Sequence, residues 1–247
     1  MFLALESGAV KEPAFKRILL KLSGEALMGN QKYGIDPESC HKIASSVHEL
    51  TQLGVQVGLV IGGGNIFRGV KATEEGMQRT PADHIGMLAT LINGIALQQA
   101  FEKIQCESRI MSAITLDVMA ESYSWKNALK YLEKGIVLIF VGGTGNPYFS
   151  TDSAAALRAL EIQAEVLLKA TKVDGIYNKD PVKYANAKKF DQVTYSEVLA
   201  SKLQVMDATA IALCRENGIP IRVFNMFNHS LKAAVMNEPI GTLVTGE

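Results

Sequence analysis

Three short apolar runs in this chain each end in a loop of small residues. Residues 17–22 run into Ser23-Gly24, residues 55–61 into Gly62-Gly63-Gly64, and residues 136–141 into Gly142-Gly143-Thr144-Gly145-Asn146-Pro147. Runs this short and this apolar suit strands buried on both faces, which belong to parallel sheets covered by helices. Helix signals fall between them. Asp36-Pro37 and Thr80-Pro81 each place a capping residue before a proline, a strong start signal. The first helix closes at Leu53-Gly54, and the second runs to about residue 105. Further strands are expected at 109–111, 165–170 and 219–224, and an edge strand at 242–245. Helices are expected at 125–134, capped by Ser124, and at 153–160, opened by Thr151-Asp152. Others fall near 195–201, 207–217 and 228–236. Asp174-Gly175 reads as a hairpin-type turn. Asp180-Pro181 breaks the chain, and 182–192 read as polar loop. The alternation predicts an α/β fold: a three-layer α/β/α sandwich with a mostly parallel central sheet. A single domain over 16–247 follows, preceded by an N-terminal extension, 1–15, with no periodicity.

Charge excludes some classes of partner. Lys+Arg 25 balances Asp+Glu 25, so no global field draws in nucleic acid or an anionic membrane. The N-terminus lacks a signal-peptide pattern, and no apolar run approaches the ~18 residues of a membrane span. Cys40, Cys106 and Cys214 form no CxxC and no metal-ligand spacing. They read as reduced thiols of a cytoplasmic protein.

In open α/β sheets, ligands bind where strands end and loops leave a crevice. Three loops there have unusual composition. In 62–69, the glycines let backbone N–H groups approach an anion, and Arg68 offers a fork of donors for a phosphate. The same residues also suit a plain strand-to-helix turn. In 144–152, small polar residues precede a helix N-terminus, which favours anions. Thr144, Asn146 and Thr151 offer hydrogen bonds to a base or ribose; Thr151 and Asp152 equally suit a cap and a first-turn acid. Lys21, at the end of its run, can neutralise charge on a transferring phosphoryl group or simply sit in water. Asp83 can bind ribose hydroxyls or complement its helix dipole. The chain has no GxxxxGK[ST] loop, no GxGxxG after the first strand and no protein-kinase motif set.

With those loops laid out, the chain resembles the bacterial UMP kinases of the amino acid kinase superfamily from about residue 16 to residue 245. The resemblance rests on Lys21-Leu22-Ser23-Gly24-Glu25-Ala26-Leu27, on Ile61 to Gly69, and on Asp83-His84-Ile85-Gly86-Met87-Leu88-Ala89-Thr90. It continues through the segment from Gly143 to Ala155 and through Lys169-Ala170-Thr171-Lys172-Val173-Asp174-Gly175. It implies phosphoryl transfer from ATP to UMP, giving UDP and ADP in pyrimidine nucleotide biosynthesis, in line and without a phospho-enzyme. UMP would contact Gly63, Arg68 and Asp83, with Thr144, Gly145, Asn146, Pro147, Tyr148, Phe149, Ser150 and Thr151 reading uracil. ATP would contact Lys21, Leu22, Ser23, Gly24, Gly64, Arg68, Thr171, Tyr177 and Asp180. Lys21, Asp152 and Arg68 would form the catalytic centre, with Lys21 stabilising transition-state charge and Asp152 either holding Lys21 or organising Mg2+ and the acceptor. ATP and Mg2+ are the implied cofactors, and no residue is assigned as a metal ligand.

The resemblance further implies a homohexamer, activation by GTP and inhibition by UTP. Gly29, Asn30, Gln31, Lys32, Tyr33, Gly34 and Arg109 match positions tied to GTP. The chain departs from some relatives at Ile136, where they carry arginine, and at Ser150, where threonine is frequent. Two other readings compete. One is a superfamily member acting on carbamate, acetylglutamate or aspartate; the other is a non-catalytic nucleotide or oxyanion binder on the same scaffold. Asp83 with the GTGNPYF segment argues against the first. The presence of both Lys21 and Asp152 argues against the second.

Overall fold

Ile18, Leu20 and Leu22 pack into one hydrophobic core, while Leu19 between them packs into another. Side chains alternate between the faces of a sheet, so one apolar run feeds two cores and needs helices on both sides. The computed structural model describes residues 12–246 apart from 182, 185 and 204.

The chain begins with β1 (Arg17–Leu22), a 3-10 turn (Gly24–Leu27), α1 (Pro37–Gln52) and β2 (Gln56–Ile61). The short α2 (Gly69–Glu74) and long α3 (Arg79–Lys103) lead to β3 (Ser108–Ser112) and β4 (Glu121–Ser122). Then come α4 (Trp125–Glu133), β5 (Val137–Val141), α5 (Thr151–Glu161) and β6 (Val166–Thr171). The last third adds β7 (Gln192–Val193), α6 (Tyr195–Ala200), α7 (Ala208–Asn217), β8 (Ile221–Asn225), α8 (Leu231–Val235) and β9 (Thr242–Val244). The sheet order is β4-β3-β5-β2-β1-β6-β8-β9-β7, and every pair is parallel except β8–β9. Ile43, Val47, Leu97, Phe101 and Leu231, from α1, α3 and α8, cover one face. Leu132, Ala155, Ala159 and Ile211, from α4, α5 and α7, cover the other. The three layers and the mostly parallel sheet are those expected from the sequence.

Local signals located elements better than they located boundaries. Asp36 caps α1 as expected, accepting the Ser39 N–H at 3.0 Å with Pro37 in the first turn. By contrast α3 starts at Arg79, after Gln78, and Thr80 is not its cap. Pro81 still falls in the first turn, where N–H groups have no intrahelical partner, so the proline marks the region and not the residue. Ser124 precedes α4 but its side chain makes no capping bond. The cap of α5 is Ser150, whose Oγ accepts the N–H groups of Asp152 and Ser153 at 2.9 and 3.2 Å. Ser230 caps α8, which is shorter than the helix expected over 228–236.

Asp174-Gly175 makes no hairpin. β6 is already paired on both edges, to β1 and to β8, so a returning strand has nowhere to add. β9 is not the edge strand either, because β7, at the end of a stretch that reads as loop, pairs outside it. Of the extension read over 1–15, residues 1–11 lie outside the described residues. Ala14 donates its N–H to the Val235 carbonyl at 2.9 Å, and Phe15 packs on the core.

Candidate active site

Lys21 on β1 stands directly opposite Lys169 on β6, in register on neighbouring parallel strands. Two like charges so placed repel. What makes the pair tenable is Asp152, which α5 delivers from its first turn. Lys21 Nζ lies 2.6 Å from Asp152 Oδ1, and Lys169 Nζ donates to Oδ2 at 2.8 Å. Lys169 also donates to the Val205 carbonyl. All three groups are largely buried, with side-chain exposures of 10%, 15% and 15%.

Burial pushes the Asp152 carboxyl up, but the Lys21 and Lys169 ammonium groups outweigh it and hold it below the usual carboxylate range. Burial pushes Lys169 down, and Asp152 only partly offsets this. Asp152 Oδ1 is buried and, despite its closeness to Lys21, takes no hydrogen bond of good direction.

Asp207 braces this corner. It caps α7 through the Ala210 N–H at 2.9 Å, accepts the Ser153 hydroxyl at 3.0 Å, and accepts the Ser150 hydroxyl as well. The start of α5, and with it Asp152, is therefore tied to the start of α7.

Two cavities flank the Lys21–Asp152–Lys169 cluster, of about 220 and 340 Å³. The first has Gly63, Gly64, Asp83, Phe149, Ser150 and Thr151 among its walls. The second is walled by Lys21, Ser23, Lys169, Thr171, Lys172 and Phe227, among others.

The residues expected at the acceptor separate into two groups. Gly63, Asp83, Phe149, Ser150 and Thr151 line the first cavity, joined by Gly143 and Arg79. Thr144, Gly145, Asn146, Pro147 and Tyr148 belong to the same loop but are not among its walls. Asp83 fastens that loop: it takes Arg79 Nε at 2.9 and 2.8 Å and the Tyr148 N–H at 2.7 Å. Tyr148 has a left-handed φ of 73°, which turns its N–H toward Asp83.

On the donor side, Lys21, Ser23 and Thr171 line the second cavity. Leu22 is buried in the sheet. Gly24 packs so closely that a Cβ there would sit 2.3 Å from Asn65 Oδ1, and Gly64 faces the first cavity. Tyr177 and Asp180, also expected at ATP, are not among the walls of the second cavity; Tyr177 bridges to Lys189 and Asp180 pairs with Lys183 at 3.7 Å.

Arg68 lines neither of these cavities. It belongs to a third hollow with Lys32, Tyr33 and Lys71, and its guanidinium pairs with Glu25 at 2.7 Å. Glu25 also takes Lys172 Nζ at 3.0 Å. That bond, and the two cations together, hold its carboxyl below the usual range despite partial burial.

Residues 29–34 are held beside the 62–69 loop, since Gly34 exchanges hydrogen bonds with Asn65 at 2.9 Å. Arg109 lies at the start of β3, paired with Leu138 at the opposite end of the sheet, and meets Glu107 at 3.2 Å. One copy of the chain does not bring 29–34 and Arg109 together.

Lys169, Lys172, Glu25 and Asp207 carry much of the site, yet the sequence assigns none of them a role; the first three stand there only inside segments that carry the resemblance. For Lys169 a signal exists: it is a lysine inside an apolar run, as Lys21 is. Among the described residues no group of three or more His, Cys, Asp or Glu side chains is placed to hold a metal ion. A divalent cation here would depend on phosphate oxygens and water.

Residues 16–225 match the amino acid kinase family, and the chain belongs to it. Within that family it is 62% identical to the uridylate kinase of Protochlamydia amoebophila (strain UWE25) over 232 residues, 93% of this chain and 92% of that protein. It is 52% identical to the uridylate kinase of Aeromonas salmonicida (strain A449), over 94% of this chain and 96% of that one. The fold superimposes on the crystal structure of UMP kinase from Bacillus anthracis with a TM-score of 0.89, at 36% identity, covering 94% of this chain and 96% of that one.

Proposed function

We infer that the chain is a uridylate kinase: it phosphorylates UMP to UDP with ATP as donor. The observation that carries the mechanism is the pairing of Lys21 and Lys169 on one carboxylate, between a glycine-walled cavity and a lysine-walled one. UMP occupies the first cavity and ATP the second. Asp83 meets the ribose, and the loop 144–151 reads the uracil edge. Arg68 leaves Glu25 to reach phosphate.

Phosphoryl transfer asks mainly for positioning and for charge stabilisation on the equatorial oxygens. Lys21 and Lys169 supply the charge from a buried site, where it is screened least. Asp152 holds both ammonium groups in place. Its depressed proton affinity suits an organiser and not a general base. Mg2+, if bound with the nucleotide, would add neutralisation of phosphate charge beside Lys21 and Lys169.

We further propose one domain over 16–247 and a cytoplasmic setting, which the three buried free thiols Cys40, Cys106 and Cys214 suit. Among the described residues no helix is long and apolar enough to cross a membrane. Self-association as a homohexamer is supported by Ile85, Leu88, Ile92 and Ile95, which leave an apolar stripe exposed along α3. GTP activation through 29–34 and Arg109 would then draw those residues from different copies. UTP inhibition would act through the uracil-reading cavity.

An ADP-release assay with ATP and Mg2+ tests the reaction, offering UMP, CMP, dUMP, acetylglutamate, carbamate and aspartate as acceptors. Turnover confined to uridylates is expected. Turnover of a carboxylate acceptor, or of CMP as well as UMP, would overturn the acceptor assignment.

A further inference from the structure

The donor cavity changes character along its length. Lys21 and Lys169 lie within the strands β1 and β6, while Val173, Met226 and Phe227 lie past the strand ends, beside the Glu25–Lys172 ion pair, whose charges meet each other. A nucleoside triphosphate fits such a gradient in one direction only, with phosphates inward and the base against the apolar outer wall. Phe227 is the large aromatic of that wall and is 65% exposed.

Its exposure is not slackness in the chain. Asn225, itself buried, donates through Nδ2 to the Lys172 carbonyl at 2.9 Å and accepts the Phe227 N–H at 2.9 Å through Oδ1. The Met226 N–H reaches the Thr171 carbonyl at 3.3 Å. The turn carrying the ring is thus fastened to the end of β6, whose residues form the cavity wall. An apolar ring held open to solvent by a pinned turn is a surface made to be covered. A flat, polarisable nucleobase covers it well.

We propose that Phe227 is the platform on which the adenine of ATP stacks, and so a residue that sets donor affinity. This rests on the second cavity being the ATP site. Tyr177 and Asp180, expected from the resemblance to meet ATP, are not among the walls of this cavity. Phe227 touches no reacting atom and acts on binding alone.

The test compares wild type with Phe227→Ala and Phe227→Trp, using ATP, UMP and inorganic tripolyphosphate, which has the phosphates and no base. Phe227→Ala should raise KM for ATP roughly tenfold, the scale of one lost base–aromatic stack. KM for UMP, kcat at saturating ATP and the inhibition constant of tripolyphosphate should move less than about twofold, since none of them involves the base. Phe227→Trp should restore ATP affinity, and its indole fluorescence should quench with ATP and not with tripolyphosphate. An unchanged KM for ATP in Phe227→Ala would overturn the proposal. So would an equal weakening of ATP and tripolyphosphate, which would mark a collapsed cavity. If the wild type fails to phosphorylate UMP, the kinase reading falls. Calorimetric binding of ATP and tripolyphosphate to the same three proteins would still decide the role of Phe227.

Discussion

Lys21 and Lys169 face each other across β1 and β6, and both reach the single carboxylate of Asp152. Neither lysine is tenable there without the acid, and the acid stays ionised because of both lysines. The cluster is one unit. Removing one member therefore changes the charge and position of the other two.

Lys169→Met removes a cation from the site of transfer while keeping the apolar stem. Loss of one preorganised donor at a developing charge is worth about 10²–10³ in kcat. We expect a fall of that order, with KM for UMP and ATP changed less than about threefold. Steady-state kinetics on the folded variant checks this. Parallel loss of nucleotide affinity would make Lys169 a binding residue and not a catalytic one.

Burial holds Lys169 below the ordinary lysine range, so it loses its proton earlier than a solvated lysine as pH rises. In that window the unfolded chain binds more protons than the folded one, so this group makes stability rise with pH while kcat falls. The sign for Asp152 is the same, in a more acidic window. Its carboxyl is depressed, so its contribution is full above the unfolded carboxylate pKa and is lost as pH falls through the folded value. A pH–kcat profile should show an alkaline limb below the lysine range. Lys169→Arg, if active, should move that limb upward; an unmoved limb would assign it to another group.

Asp83 holds Arg79 from its own helix and the Tyr148 N–H from the acceptor loop. Asp83→Asn keeps the shape and removes the charge behind these bonds. Hydrogen bonds to a charged group are worth about 1.5–3 kcal/mol, so KM for UMP should rise about tenfold or more while KM for ATP holds. Equal rises for both nucleotides would mean that the loop is not a separate acceptor element.

Asn65 and Asn93 exchange side-chain hydrogen bonds at 2.9 and 2.7 Å, and Asn93 Nδ2 also donates to the Gly62 carbonyl at 2.7 Å. Asn93 is fully buried. Asn93→Leu fills much the same space but leaves Asn65 Oδ1 and one carbonyl without their donor. Each orphaned group costs about 1–3 kcal/mol, so the urea midpoint should fall clearly. A midpoint within error of wild type would show that water replaces the lost bonds.

The fold was legible because burial on both faces writes itself as near-continuous apolar runs, and β1, β2, β5 and β6 all have them. The short β4 and β7 have no length in which a period can show, and their places depend on neighbours already formed. At the site, loop composition pointed to 62–69 and 144–152, because glycines and small polar residues cluster along the chain there. Lys169 was not legible in that way. Its meaning comes from cross-strand register with Lys21, which no local pattern encodes. Asp207 is likewise 54 positions from the Ser153 that it holds. Glu25 appears in a recognised segment, but its link to Arg68 and Lys172 exists only once three loops meet.

The central claim is that phosphoryl transfer to UMP takes place at the Lys21–Asp152–Lys169 cluster. The most direct measurement is rapid-quench UDP formation in a single turnover, by wild type and by Lys21→Ala, with equilibrium binding of UMP to the same preparations. The account predicts UDP from the wild type, a transfer rate at least about 10²-fold lower in the variant, and UMP affinity within about twofold. A variant that forms UDP at the wild-type rate would contradict it, and the chemistry would then belong elsewhere between the two cavities.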